Sequence, residues 1–192
     1  MALDFHPDPS VADWLVRSPT PSMELITLGP AGYDAYARLR FIPDPTAPGQ
    51  AEADVEVDAD HPSDLDQARR ALHLLARFTT TPGECYFCVW EGYSDITLPP
   101  WGPVVTLPHR RYALLRGSLT DIADWEGVLG AEGPCAPPAF AWPADRGWCF
   151  TSDVDPHWAG IGAGRAAVEA LVGDPGLDVV PAPPGHTPPV YR

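Results

Sequence analysis

The sequence predicts an α+β domain, with a largely antiparallel or mixed sheet of about five to seven strands and roughly three to four helices packed on it. Three observations lead there. Candidate strands come in adjacent runs with the helices segregated between them, where a doubly wound fold would alternate the two. The candidate strands are short and show two-residue alternation or compact apolar runs. The 25 prolines and 17 glycines cut the chain into short elements with rigid joints.

Taken in order, Ser10 caps a short helix running to Arg17, with Val11, Trp14 and Leu15 on one face. Residues 23–28 and 35–42 read as strands. In the second, Ala37, Leu39 and Phe41 alternate with Tyr36, Arg38 and Arg40, so one face is buried. Residues 43–62 carry Asp44, Glu52, Asp54, Glu56, Asp58 and Asp60 with few large apolar groups, and are expected to form a mobile acidic loop. Within it, 53–57 reads equally as an edge strand or as solvated loop. Ser63 then caps a helix whose stripe is Leu65, Ala68, Leu72 and Leu75, leaving Arg69, Arg70 and Arg77 on a solvated face.

Residues 84–91 form an aromatic-rich apolar run between Pro82-Gly83 and Gly92, which predicts a central strand. Strand 111–119, helix 121–128, an irregular Pro/Gly loop over 130–143, strand 148–154, helix 165–172 and strand 177–180 follow. Residues 1–180 are therefore read as a single domain, and the proline-rich 181–192 as an extended tail.

Composition excludes several function classes. All 12 basic residues are arginine, which removes Schiff-base lysines and the lysine of a phosphate loop. A net charge of −14 repels phosphate backbones, so no general nucleic-acid binding is expected, and a basic protein partner fits better. No apolar run reaches the roughly 18 residues of a membrane span, and residues 1–9 lack the basic and apolar segments of a signal peptide, so a cytoplasmic location is expected. Cys85 and Cys88 lie three apart on a strand and so point to opposite faces, and Cys135 and Cys149 are separated by a proline-rich loop. All four are read as buried reduced thiols, with no metal and no cofactor expected. The oligomeric state is left open.

Three constellations carry possible chemistry. Around Trp142, Asp145, Arg146 and Trp148, the arginine is placed to hold an anion while the indoles stack on a flat ligand and the aspartate fixes the guanidinium. The structural alternative is a proline-initiated turn with a salt bridge. Trp90, Glu91 and Tyr93 leave the central strand at its end, where Glu91 serves as an acid or base if His109, just before Arg110 and Arg111, comes within reach; the simpler reading, taken ahead of it, is an exposed strand-end glutamate beside a loop histidine. Gly160, Gly162 and Gly164 precede a helix but depart from the dinucleotide fingerprint in spacing and position, so a packing turn is expected ahead of a phosphate site. Asp153, Asp155 and His157 form a carboxylate and imidazole group that reads more simply as turn chemistry. No catalytic residue is assigned, because neither a serine elbow nor a histidine pair at ligand spacing is present.

The stretches Cys88-Val-Trp-Glu-Gly-Tyr93, Arg110-Arg-Tyr-Ala-Leu-Leu-Arg-Gly117 and Trp142-Pro-Ala-Asp-Arg-Gly-Trp148 resemble an uncharacterised family of actinobacterial proteins. The resemblance spans about the C-terminal two thirds of the chain and implies an intracellular α+β domain without implying an activity. In general character the chain is also similar to bacterial immunity proteins, which neutralise toxins by binding. A non-enzymatic protein-binding module is the leading expectation, and the alternative is an enzyme or small-ligand binder with a pocket of Trp90, Glu91, Tyr93, Arg110, Arg111, Trp142 and Arg146.

Overall fold

Nine strands, more than the five to seven expected, make one antiparallel sheet in the computed structural model, which describes residues 2–94, 96–99, 102 and 104–192. They are β1 (Asp4–Phe5), β2 (Ala35–Arg40), β3 (Cys85–Trp90), β4 (Val104–Leu107), β5 (Arg110–Gly117), β6 (Phe140–Pro143), β7 (Trp148–Thr151), β8 (Trp158–Ala163) and β9 (Val179–Pro181). Their order is β1-β5-β3-β6-β7-β8-β2-β9, with β4 sharing the β1 edge of β5. β4 pairs with the start of β5 and β1 with its end, at Leu115 and Arg116.

Helices cover both faces, so the α+β class holds with five α-helical segments among the described residues. On one face, α3 (Asp64–Leu75), α4 (Trp125–Leu129) and α5 (Arg165–Val172) meet Phe87, Leu115, Trp148, Phe150 and Ile161 in the larger core. On the other, α1 (Asp13–Val16) and α2 (Ser22–Thr27) cover Tyr86, Cys88, Tyr112, Leu114, Phe140 and Trp142. Strand alternation sorts these side chains: Cys85 belongs to the first core and Cys88 to the second, so the two thiols face apart. Ser63 caps α3 as expected, its hydroxyl accepting from the Asp66 amide at 3.1 Å.

Several expected elements change. Residues 23–28 are helical, because Pro21 starts a turn that buries Leu25 and Ile26 and leaves Met23 63% exposed, a helical and not an alternating pattern. Asp8, not Ser10, caps the first turn by accepting from the Ser10 amide. The expected helix 121–128 divides into a 3-10 segment, Leu119–Asp124, and α4. Part of the expected loop 130–143 is β6, and of the glycines read as a turn Gly160 and Gly162 lie in β8 while Gly164 caps α5. A Cβ on Gly160 would sit 2.5 Å from Leu28 Cα and from the Thr27 carbonyl oxygen. Gly160 therefore lets the end of α2 lie directly on the sheet, while Gly162 makes room for the rings of Tyr33 and Tyr36. Residues 53–57 form no strand; a 3-10 turn over Glu52–Asp54 leads into irregular chain.

No helix among the described residues is long and apolar enough to cross a membrane. The tail does not run free of the domain. The Ala182 amide donates to the Tyr36 carbonyl, the Tyr191 ring stands edge-on to His157 at 4.7 Å, and the Arg192 amide donates to the Gln50 carbonyl.

Candidate functional site

The sheet gathers part of the expected constellation at the end of β3. Trp90 closes that strand, and the Glu91 amide extends the ladder by donating to the Arg111 carbonyl at 3.0 Å. Tyr93 stands edge-on to Trp90 with centroids 5.2 Å apart. Directly across lies the β4–β5 hairpin, whose His109 takes a positive φ of 66° to close the turn and set Arg110 and Arg111 at the start of β5. Arg110 is the hub. Its guanidinium lies 5.3 Å from the Trp90 ring centroid and binds Asp153 in a two-point clamp, Nε to Oδ1 and Nη2 to Oδ2, both at 3.0 Å. The Asp153 side chain is only 4% exposed, so this pair ties loop 152–157 to β5 as a structural clamp.

Glu91 pairs with Arg111 at 3.2 Å on the exposed rim. Trp90, Glu91, Arg110, Arg111 and His109 line one open groove of about 710 Å³. Glu91 is thus held by a guanidinium at the strand end, a pairing suited to a rim ion pair and not to the alternative of proton transfer with His109.

The remaining expected residues lie elsewhere. Trp142 pairs across from Tyr86, four residues along β3 from Trp90, or roughly 13 Å at the rise of a strand. Trp142 and Trp148 are 1% and 0% exposed and belong to opposite cores, so they cannot stack on one ligand. Trp142 lies stacked on Tyr86 at 5.6 Å. Asp145 does not fix the Arg146 guanidinium, because its carboxylate is committed to the amides of Thr80 and Gly147 and the hydroxyls of Thr79 and Thr80. Partial burial would raise its pKa, but those donors outweigh burial and bring it down to about 2. Arg146 takes a φ of 55° in the same turn and lays its guanidinium 5.1 Å from the Trp14 ring centroid. The turn joins loop 79–81 to β6 and β7, which is the structural alternative without the expected salt bridge.

The acidic segment divides into a buried root and an exposed strip. Asp44 accepts from Arg38 at 2.8 and 2.9 Å, from Arg40 at 3.1 Å and from His157 Nε2 at 3.0 Å. Arg38 is 6% exposed and stacks on Trp158 at 5.0 Å. Burial opposes ionisation of Asp44, yet the two guanidiniums and the imidazole hold its pKa far below the ordinary range. Burial also lowers the pKa of His157, against the pull of Asp44, and its Nε2–H donates to that carboxylate. Beyond this root, Glu52, Asp54, Glu56, Asp58, Asp60 and Asp64 are all exposed, and none makes an ion pair among the described residues.

Sequence reasoning left the Asp44 root inside the acidic loop. The signal for the root was present: Arg38 and Arg40 alternate onto the β2 face opposite the buried Leu39, and charges on a central strand need a partner. Among the described residues no three His, Cys, Asp or Glu side chains converge as a metal-binding group. No family model, curated protein or solved structure matches the chain.

Proposed function

We propose that the protein is a non-enzymatic binding module of the cytoplasm that captures a basic protein partner on its acidic strip, in the manner of an immunity protein covering a toxin. The observation that carries this reading is the distribution of charge. Eight of the 12 arginines bind acids in structural pairs, while the strip from Glu52 to Asp64 has no cation partner among the described residues. Like charges held together in this way cost the folded chain stability and speed encounter with a cationic surface.

The reading is tested by affinity capture from native cytosol at physiological salt. Wild type and a Glu56→Gln/Asp58→Asn/Asp60→Asn variant serve as baits; the three positions are exposed and make no ion pair among the described residues, and circular dichroism checks that the variant keeps the fold. A basic protein recovered at one-to-one stoichiometry by wild type and lost from the variant supports the reading. Recovery of no stoichiometric partner, or equal recovery by both baits, contradicts it.

A second reading, a small-ligand site, is favoured by the convergence of Trp90, Glu91, Arg110 and Arg111 on one groove of about 710 Å³, within the range of ligand pockets. Its arginines are matched to Asp153 and Glu91, which leaves little free charge to select a ligand.

A further inference from the structure

The acidic loop is tied to the domain at its ends, and its entry is tied by another part of the chain. Over residues 51–60 the hydrogen bonds among the described residues are local: the Asp54 amide donates to the Ala51 carbonyl, the Val55 amide to Glu52 and the His61 amide to Asp58. The exit is fixed by His61 Nε2 and Gln67 Nε2, which donate to the Phe41 carbonyl at 2.6 and 3.0 Å. The entry is fixed as far as Asp44 by Arg38, Arg40 and His157. From Pro45 to Gln50 the chain bonds to itself, the Gln50 side chain accepting from the Thr46 amide and hydroxyl. Among the described residues, the hydrogen bond that ties this stretch to the rest of the domain comes from segment 183–192.

That segment is built as a strap. It is rooted where the Ala182 amide donates to the Tyr36 carbonyl, and from Pro183 to Val190 no hydrogen bond among the described residues reaches the domain. Residues 183–187 are exposed. Pro183, Pro184, Pro188 and Pro189 have a fixed φ and no N–H, so the span stays extended and loses little entropy on docking. The far end is a clasp. The Tyr191 hydroxyl donates to the Pro43 carbonyl, its ring stands edge-on to His157 at 4.7 Å, and the Arg192 amide donates to the Gln50 carbonyl at 3.0 Å. Pro188, Pro189 and Val190 face Pro45, Thr46, Ala47 and Pro48 across an apolar gap of about 370 Å³. Loss of water, and then the Asp44 and Glu52 carboxylates, raise the pKa of Tyr191, as its place beside the loop entry requires. The two clasp bonds thus bracket that entry, at Pro43 and at Gln50, just before Glu52.

We propose that segment 183–192 is a strap that sets the pose of the acidic loop, so that closure of the Tyr191 clasp and capture of a basic partner strengthen each other. The proposal rests on the protein-binding reading above and adds a means of regulating that same surface. With the clasp open, the partner must order the loop entry as it binds, and affinity falls by the fraction of chains already in the competent pose. The coupling is reciprocal, so a bound partner holds the clasp closed. Drawing Tyr191 away turns capture down without touching a carboxylate.

The test combines amide hydrogen exchange by NMR with calorimetric titration of a hexa-arginine peptide at fixed ionic strength, both on the full chain. Wild type is compared with Tyr191→Ala, with Tyr191→Phe, which keeps the ring and loses the hydroxyl bond, and with the strip variant Glu56→Gln/Asp58→Asn/Asp60→Asn. In Tyr191→Ala, exchange over 43–50 should rise at least about fivefold while β3 and β5 exchange as in wild type, and hexa-arginine should bind about three- to tenfold more weakly. Tyr191→Phe should lie between the two. In wild type, saturating hexa-arginine should slow exchange of the Arg192 amide, an arm that needs no variant and keeps the test decisive should Tyr191→Ala disturb the fold. Unchanged exchange over 43–50 in Tyr191→Ala, equal hexa-arginine affinity in the Tyr191 variants, or an Arg192 amide indifferent to the peptide overturns the strap. If the strip variant loses both hexa-arginine and the captured basic protein while Tyr191→Ala keeps them, the strap falls and the protein-binding reading stands; if the strip variant keeps them as well, both fall.

Discussion

Replacing Asp44 with Asn separates the acidic residues that hold the fold from those that serve a partner. The carboxylate receives four hydrogen bonds, two from Arg38, one from Arg40 and one from His157, and its side chain is 19% exposed against 7% for Arg38. Asn keeps one acceptor oxygen but removes the charge, leaving the Arg38 guanidinium desolvated and unmatched over Trp158. Breaking a buried pair from one side costs about 3–5 kcal/mol, and the partial exposure of Asp44 places this case near 3 kcal/mol. For a chain of this length that corresponds to a fall in Tm of about 6–12 °C. Equilibrium urea unfolding followed by tryptophan fluorescence measures it. Because the folded pKa of Asp44 is depressed, its contribution is complete above the ordinary carboxylate value and is lost only as pH falls through the folded value. The difference between wild type and variant should therefore hold from neutral pH to about pH 4 and shrink below it. The Glu56→Gln/Asp58→Asn/Asp60→Asn variant, by contrast, should stay within about 0.5 kcal/mol of wild type or gain stability. A cost below about 1 kcal/mol for Asp44→Asn, or an equal cost for the strip variant, would refute the division into root and strip.

Other consequences follow from the packing. Gly160→Ala should cost about 1–3 kcal/mol in the same unfolding assay, because the new methyl meets the backbone of Thr27 and Leu28 and not a flexible side chain; wild-type stability would show that α2 does not press on β8. Asp145 has a depressed pKa of about 2 against an ordinary value of 3.8, so its share of stability is full above the ordinary value and is lost as pH falls towards 2. Asp145→Asn should flatten that acid limb by about 1 kcal/mol, a figure discounted for the exposure of the turn, and an unchanged limb would count against the carboxylate as the turn's anchor. Ellman's reagent followed by mass spectrometry should modify the partly exposed Cys135 first, and buried Cys85, Cys88 and Cys149 only on unfolding. Burial raises all three of those pKa values, that of Cys85 to about 12, and rapid native-state labelling of any of them would contradict this.

The elements legible in the sequence were those whose own residues carry the signal. Ser63 with the Leu65, Ala68, Leu72 and Leu75 stripe defined α3, and the run from Cys85 to Trp90 defined β3. The elements that were not legible take their structure from neighbours. Phe140–Pro143 is a strand because β3 and β7 flank it, although its prolines and glycines nearby read as loop. Trp158–Ala163 tolerates glycines because the end of α2 fills the space at Gly160 and the rings of Tyr33 and Tyr36 fill it at Gly162. At the candidate site, strand adjacency brought Glu91 and Arg111 together, and this was within reach of local reasoning. The Trp142 and Trp148 pairing failed because the turn between them reverses the chain and puts the two indoles in opposite cores.

The most direct test of the protein-binding account is carboxyl footprinting with carbodiimide and a small amine on the free chain and on the complex recovered from native cytosol. The account predicts that Glu52, Glu56, Asp58 and Asp60 label readily in the free chain and are protected in the complex, while Glu91 on the β3 groove keeps its free rate. Protection centred on Glu91, with the strip labelled as in the free chain, would contradict it.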